Sequence, residues 1–212
     1  MRRAAACPHA DRAEPFSGNS LDRLRRAALI GAMSPIILET DRLILRQPDL
    51  SDFEPLCELM ADEETTRFIG GQQEPAHVWR GLCGIVGHWS LRGYGFYSVI
   101  EKKSGAWLGR IGPWYPHGWP QPEVGWSLNR STWRKGYATE AAAACLDDVF
   151  NRLEWRDVIH LIHEDNAPSQ GVARRLGSRD LGHDVPVAGF DMIVDVWGQS
   201  AAEWREHRKQ LL

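Results

Sequence analysis

Trp133-Arg-Lys-Gly-Tyr-Ala-Thr-Glu-Ala-Ala-Ala-Ala144 is the stretch that decides how this chain is read. Bulky and charged residues lead through one glycine into an alanine-rich run of high helix propensity, so a loop gives way to a helix near Tyr137. The first amides of a helix have no intrahelical partner and the dipole is positive there, which makes the junction a seat for a phosphate group. Gly136 and Ala138 are small enough for backbone to approach phosphate oxygens, Arg134 and Lys135 add charge, and Thr139 can donate a hydroxyl hydrogen bond. For this stretch alone, an ordinary helix start after a solvated basic pair stays open as an alternative. The other glycine-rich stretch, residues 109–118, leads into no helix and makes a poor phosphate cradle.

Working outward toward the N-terminus, residues 123–128 form a strand, and residues 112–121 carry prolines and glycines that exclude regular structure. Residues 96–101 and 106–111 are two strands joined by the hairpin Lys102-Lys-Ser-Gly105. A helix over residues 75–91 turns Val78, Trp79, Leu82, Ile85, Val86 and Trp89 inward, with Gly81, Gly84 and Gly87 each costing about 1 kcal/mol. Ser51-Asp-Phe-Glu54 fits a capping box ahead of the apolar face Phe53, Leu56, Cys57 and Met60, and residues 42–46 are a short strand. Downstream, the alanine-rich helix runs to about Leu153. It is followed by a strand at 158–163, a helix at 169–176 ended by Gly177, and a strand at 192–196. Antiparallel strands first and alternating elements later predict an α/β fold, a mixed sheet with helices on both faces and its ligand near the strands' carboxyl ends.

The whole chain has 212 residues, with 25 basic against 28 acidic and a net charge of −3, so no overall field draws it to nucleic acid or to an anionic membrane. The basic segment at residues 23–26 is too small for much phosphate neutralisation. No apolar run reaches the ~18 residues that span a bilayer. Cys7, Cys57, Cys83 and Cys145 form no Cys-x-x-Cys pair and are read as reduced thiols of a cytoplasmic protein. No His/Cys cluster has metal-ligand spacing, so no metal is expected. Residues 1–32 lack the patterning that begins after Met33 and are expected to be a disordered or mis-called extension ahead of one domain, 33–212.

Four runs together carry a resemblance: Glu123-Val-Gly-Trp-Ser-Leu128, Trp133 to Ala141, Ile162-His-Glu-Asp-Asn166-Ala-Pro-Ser169 and Ala173-Arg-Arg-Leu-Gly177. They resemble the acyl-CoA-binding core of the GNAT superfamily of N-acetyltransferases. The opening Leu38-Glu-Thr-Asp-Arg-Leu-Ile-Leu-Arg46 is similar to the branch that contains ribosomal-protein N-terminal (alanine/serine) acetyltransferases. The resemblance implies a mostly antiparallel twisted sheet whose fourth and fifth strands, 123–128 and 158–163, splay into a V-shaped cleft. Acetyl-CoA is then the co-substrate, a primary amine on a peptide N-terminus or small molecule is the acceptor, and a homodimer is compatible. The implied cofactor contacts are the backbone of Trp126, Ser127 and Leu128, the loop from Trp133 through Tyr137 to Thr139, and Asn166 and Ser169. Trp133 stands where the family usually has Gln or Arg, and Ala173 stands where many members have a general-acid tyrosine, which leaves Ser169, water or nothing specific to protonate the thiolate.

Attack on a thioester needs a neutral amine and a stabilised oxyanion. Glu123, heading the strand beside the cleft, is the candidate base, and a surface glutamate flanking Pro122 is its alternative. Trp114 and Trp119 either wall the acceptor pocket or cap the sheet, and His160 and His163 are read as structural or surface groups. A non-catalytic acyl-CoA-binding or sensing module is the other functional class in play.

Overall fold

The computed structural model describes residues 36–187 and 193–211, so the expectation for residues 1–32 and the Met192 start of the last strand lie outside the described residues. Among the described residues eight strands form one sheet: β1 (Ile37–Glu39), β2 (Leu43–Arg46), β3 (Tyr97–Glu101), β4 (Trp107–Trp114), β5 (Glu123–Leu128), β6 (Asp157–Ile162), β7 (Arg179–Pro186) and β8 (Ile193–Ser200). Their order is β1-β2-β3-β4-β5-β6-β8-β7, antiparallel throughout except for the parallel pair β5/β6. Among the described residues six helices flank it: α1 (Phe53–Ala61), α2 (Glu63–Thr66), α3 (Pro75–Arg92), α4 (Tyr137–Asn151), α5 (Ala167–Arg175) and α6 (Ala201–Arg208).

Alternation along the strands sorts the two faces. Leu45, Val99, Ile111 and Val124 are buried together with Ala141, Ala142, Cys145, Leu146 and Val149 of α4. The neighbouring positions Arg46 and Ser98 point the other way, toward Asp52 at the start of α1, which accepts hydrogen bonds from both. On that side Leu56, Leu59 and Met60 of α1 pack with Val78 and Leu82 of α3. Helices therefore cover both faces, as the patterning predicts.

Several boundaries differ for identifiable reasons. The cap of the first helical segment is Asp49, not Ser51: its carboxylate accepts from the Ser51 amide, and Asp52 bonds back to the Asp49 amide while also holding Arg46 and Ser98. Trp79 and Val86 are exposed, because α3 has more apolar positions than its buried face can take. A β-carbon on Gly81, Gly84 or Gly87 would meet nothing, so these glycines serve no close packing. Strand β4 runs on through Gly112 and Pro113, which were expected to be irregular. Pro113 lies opposite Val124, and the Asn129 amide bonded to Leu108 O makes 113/124 a pair that exchanges no ladder bonds, so the proline nitrogen faces the β3 side, where β3 begins only at Tyr97 and no strand residue asks for its N–H. A β-carbon at Gly112 would lie 2.6 Å from Gly95 O, which explains the glycine beside it.

Candidate active site

Strands β5 and β6 are paired at one position only, Glu123 with Ile159, where the Ile159 amide donates to Pro122 O at 2.9 Å. Beyond that point side chains replace the ladder. The Leu161 amide donates to Glu123 Oε1 (3.3 Å), and His160 Nδ1 lies 2.6 Å from Val124 O. A carbonyl can only accept, so Nδ1 carries the proton and Nε2 accepts from the Ser178 hydroxyl (3.0 Å), which in turn accepts from Gln199 Nε2 (3.0 Å). Burial pushes the His160 pKa down to about 4, so this imidazole is a neutral wedge in the split. Its lowered pKa makes the fold lose stability as pH falls from the ordinary histidine range toward 4. His160→Phe strands the Val124 carbonyl and should lower the unfolding free energy by about 1–3 kcal/mol, measured by urea denaturation at neutral pH.

The split exposes backbone on β5. The same alternation gives the ladder bonds of Glu123, Gly125 and Ser127 to β4 and turns the peptide groups of Val124, Trp126 and Leu128 toward β6. Trp133 Nε1 takes Leu128 O at 2.8 Å, and His160 takes Val124 O, which leaves the Trp126 peptide at the centre of the cleft. Ser127 is thereby corrected: facing β4, its backbone is not a cleft group. Across the split, Trp126 Nε1 donates to Ser169 Oγ (3.2 Å), and Asn166 caps α5 by accepting from the Ser169 amide (3.2 Å). The Ser169 hydroxyl keeps its own proton to donate.

At the far end of β5 the chain enters α4. Arg134 (φ 59°) and Gly136 (φ 82°) both take left-handed conformations, and the first helical bond is Glu140 N to Gly136 O. The amides of residues 134–139 have no acceptor among the described residues, an arrangement that suits a phosphate group. Gly136 is backed by Arg42 Nη2, 3.3 Å from where its β-carbon would sit. Arg42 also donates to Lys135 O (2.9 Å) and Glu140 Oε2 (2.6 Å) and lies over the Tyr137 ring, so the turn before β2 holds the loop from behind. The Tyr137 hydroxyl donates to Glu101, so Tyr137 offers the cleft its amide only. Arg175 Nε donates to Thr139 Oγ1 (3.2 Å), bringing a further cation to the loop. The roles of Arg42 and Arg175 were missed. Arg42 lies within the quoted opening motif, but pairing across 98 residues has no local signal.

Glu123 sits at the apex of the split, 7% exposed. Its Oε2 accepts from Trp119 Nε1 at 2.8 Å and its Oε1 from the Leu161 amide. Burial outweighs these two stabilising bonds and pushes its pKa up to about 7. Glu123 is therefore buried rather than a surface residue, and Trp119 is its partner. Trp114 stacks on His88 (4.6 Å) and packs beside Phe96 (5.3 Å), lining the same region. Trp119→Phe removes a bond to the ionised carboxylate and should move the acidic limb of the rate profile to higher pH, as read from kcat/KM against pH. Farther along β6, a hollow of about 600 Å³ opens between Phe68, His163, Glu164 and Val194. Among the described residues no group of three or more His, Cys, Asp or Glu is gathered to hold a metal, and no helix is long and apolar enough to cross a membrane.

A sheet split between two parallel neighbours, with a phosphate-ready helix start beside the split, defines a GNAT-type acyltransferase fold. The acetyltransferase (GNAT) domain family matches residues 42–179, and the chain belongs to that family. It is 28% identical over 135 residues to the uncharacterized N-acetyltransferase p20 of Bacillus licheniformis, covering 62% of this chain and 76% of that one. To the protein YkkB of Bacillus subtilis it is 30% identical over 148 residues, 66% and 83% of the two chains. The crystal structure of an acetyltransferase from Agrobacterium tumefaciens superposes with a TM-score of 0.71 at 28% identity, covering 79% of this chain and 95% of the other. The ribosomal L7/L12 α-N-protein acetyltransferase RimL shares the fold (TM-score 0.65, 17% identity, 80% and 97% covered). The protein is thus an acetyltransferase, of a family that uses acetyl-CoA as co-substrate.

Proposed function

We propose that this protein transfers the acetyl group of acetyl-CoA to a primary amine, on a peptide N-terminus or a small molecule, by direct attack in a ternary complex. The observation that carries this is Glu123: a buried carboxylate, pKa about 7, at the apex of a split whose other end is a vacant-amide helix start. Acetyl-CoA supplies an activated thioester. The amides of residues 134–139, with Arg134, Lys135, Arg175 and the Thr139 hydroxyl, would hold its pyrophosphate, and the Trp126 peptide would pair with the pantetheine arm and polarise the thioester carbonyl.

Glu123 takes the proton from the incoming ammonium. A base of pKa about 7 is closer to an α-amino group (about 7.7–8.0) than to lysine (about 10.4), so α-amines are the better-matched acceptors at neutral pH. The leaving thiolate takes its proton from water, either directly or relayed through the Ser169 hydroxyl, which the Trp126 indole orients and which solvent reprotonates. Ala173 is fully buried beside Ile162 and Trp197 and offers no acid. The hollow at Phe68 and His163 is the approach for the acceptor. The test is a panel of amines scored by CoA release, with mass spectrometry of the product. Acetyl-CoA that binds but is never turned over by any amine would instead support a non-catalytic acyl-CoA-binding module.

A further inference from the structure

Arg110 is a cation that neither the fold nor the proposed chemistry uses. It projects from β4 opposite Ser98 on one side and Ser127 on the other, so it shares the sheet face of Gly112, Trp114 and Glu123. Its guanidinium lies over the Phe96 ring, with Cζ 5.2 Å from the centroid. Phe96 Cζ and Glu123 Oε1 each lie 3.3 Å from the point where a β-carbon on Gly125 would sit. One aromatic ring therefore stands between the buried base and this half-buried cation.

Among the described residues no group of opposite charge faces that cation. No carboxylate among the described residues pairs with Arg110, and its Nε is enclosed without a hydrogen-bond acceptor. The acid nearest in kind, Asp52, is held by Arg46 (2.6 and 2.8 Å), Ser98 and the Asp49 amide. Asp52, Trp107 and Arg110 line a cavity of about 10 Å³, room for one water. The Trp107 indole N–H there is likewise without an acceptor. A water could accept from both donors, but it brings no charge, and a half-buried guanidinium without a counter-ion is costly unless an anion is to meet it. Burial lowers the Arg110 pKa only to about 10, so it stays charged at neutral pH.

We infer that Arg110 is a specificity determinant that binds a carboxylate of the acceptor, so that the preferred substrates are primary amines that also carry a carboxylate. Charge-assisted, two-pronged pairing is what a guanidinium fork offers such a group. The inference rests on the acetyl-transfer function proposed above and narrows its acceptor.

The experiment compares matched acceptors, each amino acid against its carboxamide and acidic dipeptides against their amide counterparts, in wild-type protein and in Arg110→Gln and Arg110→Lys. The expected result is a kcat/KM at least about tenfold higher for the acid of each responsive pair, a ratio that collapses in Arg110→Gln and is partly kept in Arg110→Lys. The KM for acetyl-CoA stays unchanged and the thermal midpoint of Arg110→Gln does not fall, whereas a merely structural role for Arg110 would lower it. Preference confined to free amino acids or to acidic dipeptides identifies the source of the carboxylate. Wild-type ratios near one, or equal losses on both members of each pair, overturn the inference. Calorimetric binding of the same acids in the presence of CoA decides the matter without turnover: affinity that is indifferent to Arg110→Gln refutes it. Failure of every amine to release CoA would count against acetyl transfer itself.

Discussion

Glu123→Gln should lower turnover by about 10²- to 10⁴-fold while leaving acetyl-CoA affinity nearly unchanged, because it removes the proton acceptor and leaves the phosphate loop and the Trp126 peptide in place. Wild-type kcat/KM should fall below about pH 7, where the buried carboxylate takes up its proton, and this limb should be altered in the variant. The deficit should shrink as pH rises, since a growing share of the amine is then already neutral. A stability signature accompanies it. The folded pKa of Glu123 lies above its unfolded value, so the folded state binds the extra proton between about 4.5 and 7, and wild-type stability is lost as pH rises through that window. The Gln variant has no such loss. Between pH 5 and 8 the stability difference should therefore shift toward the variant by on the order of 3 kcal/mol, measured by urea denaturation at the two pH values. Only the change with pH is diagnostic, because Gln must set an NH2 against one of two donors, the Trp119 indole or the Leu161 amide. Full turnover by Glu123→Gln at pH 6 to 7 with saturating acceptor would remove Glu123 as the base.

Gly136→Val should abolish the thermal stabilisation that acetyl-CoA confers on the protein by mass action. Gly136 has φ of 82°, which a β-branched residue reaches only at a cost of roughly 1–3 kcal/mol, and the new side chain would press on Arg42 Nη2. Loop strain of that size alone weakens binding by about 5- to 150-fold, and displacement of the amides from the phosphate adds to it. Calorimetric titration of the variant with acetyl-CoA is the check. Undiminished affinity would place the cofactor elsewhere.

What was legible beforehand follows from how local each signal is. The limits of β5 and the start of α4 coincide with the expected ones, since the alternating apolar residues Val124, Trp126 and Leu128 and an alanine run beginning after a glycine are written within a few residues. Strands β1 and β7 were not foreseen: the first has three residues, and the second lies at the sheet edge with mostly exposed side chains, so neither shows an apolar alternation. The burial of Glu123 was open between a cleft base and a surface residue, because it depends on Trp119 folding back and on β6 parting from β5. Likewise, nothing near His160 in the chain announces that its ring stands in for a ladder bond to Val124. Such roles arise from strands brought together across 36 residues. The phosphate loop was legible as a helix start, while the Arg42 and Arg175 contacts that complete it were not.

The most direct test of acetyl transfer in a ternary complex is mass spectrometry on the protein incubated with isotopically labelled acetyl-CoA and an α-amine acceptor. The expected result is one labelled acetyl group on the amine for each CoA released, with the protein itself unmodified. Label that stays on CoA, or that accumulates covalently on the protein, would contradict the account.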